Sequence, residues 1–410
     1  MSKYLRFFVI IAYLVLFLGN LEFAYAMESN DIIRINEETF PDKYIRDEIC
    51  NEYDSNGDKV LSQEEISEAK KLVLATMQTI KRLNLEGISK LENLEEITIA
   101  ADKVLNVKEL EKLKKIKYLD LESKSIKKVP SLSDCVELNS LRVKAPIVEL
   151  DLSKNYNLKR LRLANVKMKE IKIENLTSLE QFNLWSCKKV AEKLEITNCP
   201  QLTKILTYDN SNLKKVVLSE LPSLNYLKIS DTKKLKKLQT SKLPKLREII
   251  LNKNRLKNIK FNMMPNLETV TVSGNTIMTE LDIRVLKKVF WLEWNHGKLK
   301  KIRVPKKNKL SYVSLKDNQL TGTWRLSLMP KLGEFDCSNN KIEKILGRNH
   351  KNLTVLKCNN NELKKLDLYN AGVPYIFCKK NPNAKLYLKY LDTDYHKIDK
   401  RAKVYYKKKY

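Results

Sequence analysis

Chemistry in this chain has few residues to work with. Histidine is the usual imidazole base, and His296, His350 and His396 are the three present, each far from the others. None stands at metal-ligand spacing from another His or from a Cys pair. No Ser sits in a nucleophile-elbow context, no Gly-rich phosphate loop is present, and no catalytic carboxylate pair stands out. Catalysis is therefore not expected. Cysteines number seven, an odd count that raises disulfide, metal or thiol roles. The charge is lopsided, with 78 Lys and Arg against 49 Asp and Glu and a net charge of +29. Such a balance favours anionic partners and says nothing about fold.

The elements that position these residues show up as a repeat. The frame L-x-x-L-x-L occurs at Leu158, Leu161 and Leu163, and again at Leu224, Leu227 and Ile229 and at Leu246, Ile249 and Leu251. Its first apolar position recurs from Leu94 to Val373 in fourteen copies spaced 20 to 23 residues apart. Three residues past many frames stands an Asn: Asn210, Asn254, Asn275, Asn318, Asn340, Asn361 and Asn381, with Cys187 once in that place. An inward amide there can satisfy backbone groups at the turn between coils. The pattern L-x-x-L-x-L-x-x-N-x-L resembles the leucine-rich-repeat family over roughly residues 85–385.

Each repeat holds a second alternating frame, as at Leu213, Val216 and Leu218, at Leu256, Ile259 and Phe261, and at Leu363, Leu366 and Leu368. Period-two alternation reads as a short strand. The expected fold is thus a mostly β, α/β-type leucine-rich-repeat solenoid of about fourteen coils. Each coil has two short parallel strands, and a small helical cap precedes the first. The Leu positions form the core, each burial contributing ~1.5 to 3 kcal/mol, and no coil hides its apolar face without neighbours. Cys337, Cys358 and Cys378 take the last apolar position of three consecutive frames. That column resembles the cysteine-bearing repeats of some internalin-type surface proteins, where thiols act as small core residues; a disulfide or redox role is the alternative.

Ahead of the repeats, DSNGDKVLSQEE lies between two helix-like stretches. It resembles an EF-hand or dockerin-type loop, and the resemblance implies a structural Ca²⁺. Asp54, Asn56 and Asp58 match the first, third and fifth positions; Val60 would offer its carbonyl, Ser62 a water-mediated contact and Glu65 two oxygens. The sixth position, usually Gly because the turn favours positive φ, is Lys59 here. The alternative is a loop that only joins two helices. In either case Ile45, Ile49, Ile66 and Leu72 could seal the end of the first coil.

Between the apolar sites of the first strand stand Tyr118, Tyr226, Trp291, Tyr312 and Tyr375, all at one offset. In the leucine-rich-repeat family this strand lines the concave binding surface, which makes Tyr226, Trp291, Tyr312 and Tyr375 candidates for protein or glycan contact. The bland reading is cross-strand stacking. The exposed pair on the second strand carries fourteen basic and five acidic residues, against five and six on the first strand. Lys214, Lys215, Lys236, Lys237, Lys257, Lys300, Lys301, Lys364 and Lys365 form a candidate polyanion-binding column, against a bland reading of lysine-rich solvated surface.

Residues 1–26, with Lys3 and Arg6 before an apolar run and Ala24 and Ala26 at the end, read as a secretory signal. Residues 27–84 form the expected cap, 85–385 the solenoid, and 386–410 a basic tail or cap ending in Lys407, Lys408 and Lys409. No later stretch is apolar enough to span a bilayer. The expectation is a secreted binding protein, held noncovalently at the cell surface if at all, mediating protein interaction or adhesion with a host or neighbouring cell. The runner-up is an envelope protein gripping teichoic acid or another acidic polymer. Nucleic acid is a poor candidate for an exported chain.

Overall fold

The computed structural model describes residues 32–188, 191–275, 277–373, 375–389 and 394–406. The signal segment and Lys407, Lys408 and Lys409 lie outside the described residues. The chain divides into two compact units, residues 1–155 and 156–410. Both are built as leucine-rich-repeat solenoids of parallel strands.

In the first unit, helix α1 (Lys43–Tyr53) starts at Asp42, whose carboxylate accepts from the Tyr44 amide at 3.0 Å. The same carboxylate accepts from the Asn84 amide at 2.7 Å, so the helix cap also ties the helix to the first coils. Helix α2 (Gln63–Glu68) starts with a capping box between Ser62 and Glu65. Ile45, Ile49 and Leu72 are buried with Phe40 and Leu61, and Ile66 is nearly so, which is the sealing role their spacing implied. Gly87 has φ +86° and its α-carbon lies against the Thr39 carbonyl, where any side chain would collide.

Coils begin earlier than the sequence boundary at 85. Lys71–Leu74 is a strand, with Leu72 and Leu74 buried and Lys71 and Val73 exposed, and it pairs parallel with Glu96–Leu105 so that Leu72 faces Ile97. The helical reading of that stretch missed a period of two inside four residues. Tyr118–Ser123 and Ser140–Lys144 continue the sheet in register, Ile97 to Leu119 to Leu141.

In the second unit the first sheet runs in one register from Arg160–Ala164 to His396–Ile398, with core residues Leu161, Phe182, Ile205, Leu227 and Ile249 on successive strands. In both units, the fourth residue of all fourteen frames falls in such a strand. The second sheet is less regular than expected and comes in three pieces: four strands between residues 170 and 240, two between 280 and 303, and five between 321 and 406. The frame at Leu256, Ile259 and Phe261 does not make its strand. A 3-10 turn, Phe261–Met263, folds the Phe261 ring inward instead. The last piece ends in Lys403–Tyr406, paired to Lys385–Leu388, and the first sheet gains His396–Ile398, so of the cap or tail expected over 386–410 the described part is built of strands.

The asparagines do what an inward amide was expected to do. Asn318 donates through Nδ2 to Trp294 O at 2.7 Å and accepts through Oδ1 from Leu299 N–H at 3.0 Å; Asn340 and Asn361 repeat the arrangement one coil on. The preceding residue is left-handed each time, as at Asp209, Lys253, Asp317, Asn339, Asn360 and Lys380. Short polar side chains tolerate that conformation best, which explains the Asp and Asn enrichment. All seven cysteines are free thiols. Cys337, Cys358 and Cys378 are fully buried. Burial pushes the Cys337 thiol well above its usual range, and the hydrogen bond to Cys378, with burial, does so for Cys358.

Candidate binding surfaces

Parallel register turns single residues into continuous rows. On the exposed face of the first sheet of the second unit, one row reads Lys204, Tyr226, Glu248, Thr269, Trp291, Tyr312, Glu334, Val355 and Tyr375. All four expected partner-binding residues therefore stand in one line. Trp291 and Tyr312 stack with ring centroids 3.8 Å apart and planes 12° from parallel. Such a pair adds about 0.5 to 1.5 kcal/mol beyond the area it buries. Trp291 is still 37% exposed, beside Phe290 at 42%.

Tyr226 and Tyr375 sit apart from that pair. Lys204 Nζ lies 5.2 Å over the Tyr226 ring, and Tyr375 meets Tyr395 edge-on at 5.2 Å. Two ion pairs stand on the face: Lys357 bonds Glu334 at 2.6 Å and Arg247 reaches Glu268 at 3.4 Å. Burial and the neighbouring Glu334 raise the Tyr312 hydroxyl above its ordinary pKa, so it remains a donor at neutral pH.

The lysines behave differently from piece to piece of the second sheet. Lys193 is held by Glu195 at 2.8 Å, and Lys214 by Glu192 at 3.0 Å. Lys215 and Lys237 face each other in register across adjacent strands, with Lys236 exposed beside them. Lys257 stands where the strand fails to form. Lys300 precedes the short strand holding Lys301, whose cross-strand neighbour Glu280 bonds Arg303 at 3.2 Å. Lys364 bonds Glu343 at 2.7 Å and Lys365 lies 3.5 Å from Asp367. The candidate column is thus interrupted by acids and by a missing strand. Sequence reading also left out Lys385 and Lys403, which the register brings level with Lys344 and Lys365. Two ammonium groups ~5 Å apart in water repel by ~0.8 kcal/mol before screening.

The acidic loop of the first unit closes on itself. Asp54 accepts from the amides of Gly57 at 2.8 Å and Lys59 at 3.0 Å, Asp58 accepts from the Val60 amide at 2.7 Å, and Asn56 accepts from the Asp58 amide at 2.9 Å. Lys59 has φ 62°, so the turn that the resemblance requires is made without glycine. Val60–Leu61 pairs antiparallel with Ile33–Arg34. Glu65 accepts from Ser55 N–H at 2.8 Å and Oγ–H at 2.7 Å, and from Ser62 N–H at 2.9 Å and Oγ–H at 3.0 Å. The Ser55 hydroxyl, with these amides, holds the carboxyl down at about 2. Among the described residues no three His, Cys, Asp or Glu side chains gather around a possible metal position. In this arrangement both Glu65 oxygens accept from serines, while Asp54, Asn56 and Asp58 accept from amides of their own loop.

The histidines stay apart. His296 Nδ1 lies 2.8 Å from Asp317 on the surface, His350 is buried with Nε2 3.0 Å from Met329 O, and His396 is buried in a strand. Among the described residues no helix is long and apolar enough to cross a membrane.

No family model matches the chain, and no curated protein matches it. Solved structures do. An internalin from Listeria monocytogenes is 17% identical, covering 82% of this chain and 92% of its own, with a TM-score of 0.44. The functional domain of InlJ from Listeria monocytogenes, which includes a cysteine ladder, is 17% identical over 87% of this chain and 77% of its own, with a TM-score of 0.45. The LRIM1/APL1C complex matches at 14% identity over 75% of this chain and 59% of that one, with a TM-score of 0.53. At these identities the likeness is one of fold.

Proposed function

We propose that this chain is a secreted protein-binding module that engages a partner across the first-sheet face of its second unit and performs no catalysis. The observation that carries the reading is the stacked, half-exposed Trp291 and Tyr312 pair, beside which Lys357 answers Glu334. Rigid aromatics in such a setting are the usual energetic anchors of protein interfaces. A paired charge at the rim favours specificity over bulk attraction. Adhesion at the surface of the producing cell, towards a host or neighbouring cell, agrees with the signal-like first 26 residues.

The test uses the chain without residues 1–26 against an array of purified extracellular host proteins, at low and physiological salt. A partner retained at both salts, with affinity falling at least about tenfold in Trp291→Ala or Tyr312→Ala, supports the reading. Partners whose binding ignores both substitutions would sink it.

A further inference from the structure

The second-sheet face near the end of the second unit carries a surface that the protein-binding reading does not use. Register places Thr323, Lys344, Lys365, Lys385 and Lys403 in one row across five strands. Lys344, Lys385 and Lys403 are exposed and form no ion pair among the described residues, while Lys365 shares Asp367 with Arg348. In the separate piece between residues 170 and 240, Glu195 and Glu192 hold Lys193 and Lys214, while Lys215 and Lys237 face each other. Two residues further along the strands, Tyr387 and Tyr405 stack at 5.0 Å with planes 13° from parallel, and Lys365 Nζ caps the Tyr387 ring at 5.0 Å.

We infer that this row of lysines, with the Tyr387 and Tyr405 rail beside it, is a binding strip for an acidic polysaccharide that carries a carboxylate on successive sugars. Parallel strands repeat every ~4.8 Å. One sugar of an extended chain advances by a similar distance, so the carboxylates on the side of the chain facing the sheet come within reach of the long lysine side chains and offset the repulsion along the row. The Tyr387 ring lies between Lys365 and the Tyr405 ring, which leaves its hydroxyl edge for sugar hydroxyls. Single-stranded nucleic acid wants the opposite: open ring faces on which bases lie. The backbone of the row is held in strands, so only its side chains are ordered on binding.

Calorimetric titration of the chain without residues 1–26, with size-defined oligogalacturonate at low salt, tests this. Neutral dextran and oligothymidylate of equal length are the other arms. The variant Lys344→Gln/Lys385→Gln/Lys403→Gln should weaken oligogalacturonate binding about tenfold, as three exposed charge contacts would. Lys242→Gln/Lys245→Gln/Lys260→Gln changes the net charge equally and should cost less than about twofold. Tyr405→Ala should weaken binding without changing the charge. Equal losses in the two triple variants would reduce the strip to net charge and overturn the inference. So would tighter binding of oligothymidylate, or no binding of oligogalacturonate by the unmodified chain.

Discussion

Replacing Asn340 and Asn361 by Ala, singly and together, probes how the coils hold one another. Asn340 accepts from Leu320 N–H at 2.9 Å and donates to Leu315 O at 2.9 Å and Cys337 O at 3.0 Å. In Asn340→Ala, Leu315 O keeps Asn318 at 3.1 Å and Cys337 O keeps Asn361 at 3.0 Å, so the orphan is the buried Leu320 amide. Asn361→Ala likewise orphans the Ile342 amide, while Cys358 O keeps Asn381 at 3.0 Å. Each single change should cost about 2 to 3 kcal/mol, the penalty of one unmet buried donor plus lost net bonds. The double variant removes both donors from Cys337 O, which is fully buried. It should exceed the sum of the singles by about 1 kcal/mol or more. Urea unfolding of the four forms measures this, with amide exchange at Leu320 and Ile342 read beside it, because stacked coils open locally. Asn210 shares no acceptor with Asn361 and supplies the additive control. A cycle for Asn340 and Asn361 that closes within ~0.5 kcal/mol would refute the shared-acceptor reasoning.

Two further outcomes follow from the cap and the thiols. Glu65 is held at about 2, below its ordinary 4.5. A depressed carboxylate contributes its full stability above about 4.5 and loses it as pH falls towards 2. Amide protection across residues 55–66, taken relative to the intrinsic exchange rate at each pH, should therefore fall in that window, and Glu65→Gln should flatten the profile; a profile unchanged by the substitution would place the acid lability elsewhere. Calcium that slowed exchange in those residues would show Glu65 leaving the serines for a metal. Among the cysteines, half-buried Cys50 should react first with iodoacetamide, and the six buried thiols only as the native state opens. Native labelling of Cys358 as fast as Cys50 would contradict the closed core.

The core was legible because its signal is a period. Leu and Ile at fixed offsets mark inward positions whatever lies between them, and the asparagines mark the turn that follows. Trp291 and Tyr312 were readable as neighbours because they hold one offset in successive coils. Pairing was not readable. Whether a lysine is answered by an acid depends on cross-strand geometry, so Lys214 and Lys344 look alike in sequence and differ in the fold. Short strands without the full frame were harder to read: Lys71–Leu74 was absorbed into the helical cap, and 386–410 stayed open between a cap strand and a tail, with Lys403–Tyr406 a strand in the fold. The second sheet breaks at Phe261–Met263, where a 3-10 turn stands in place of the strand although Leu256 and Phe261 are buried as their alternation implied.

Sharing carbonyls between successive asparagines also bears on how such a chain changes length over descent. Cys337 O meets one amide from its own coil and one from the next, and Cys358 O does the same. Inserting or deleting a whole coil hands each carbonyl a new second donor in the same place. An insertion of half a coil would move the amide off its acceptors and bury what it left behind. Variation among descendants of this gene should therefore come in steps of one repeat, and shorter insertions should collect in the turns on the outer edge.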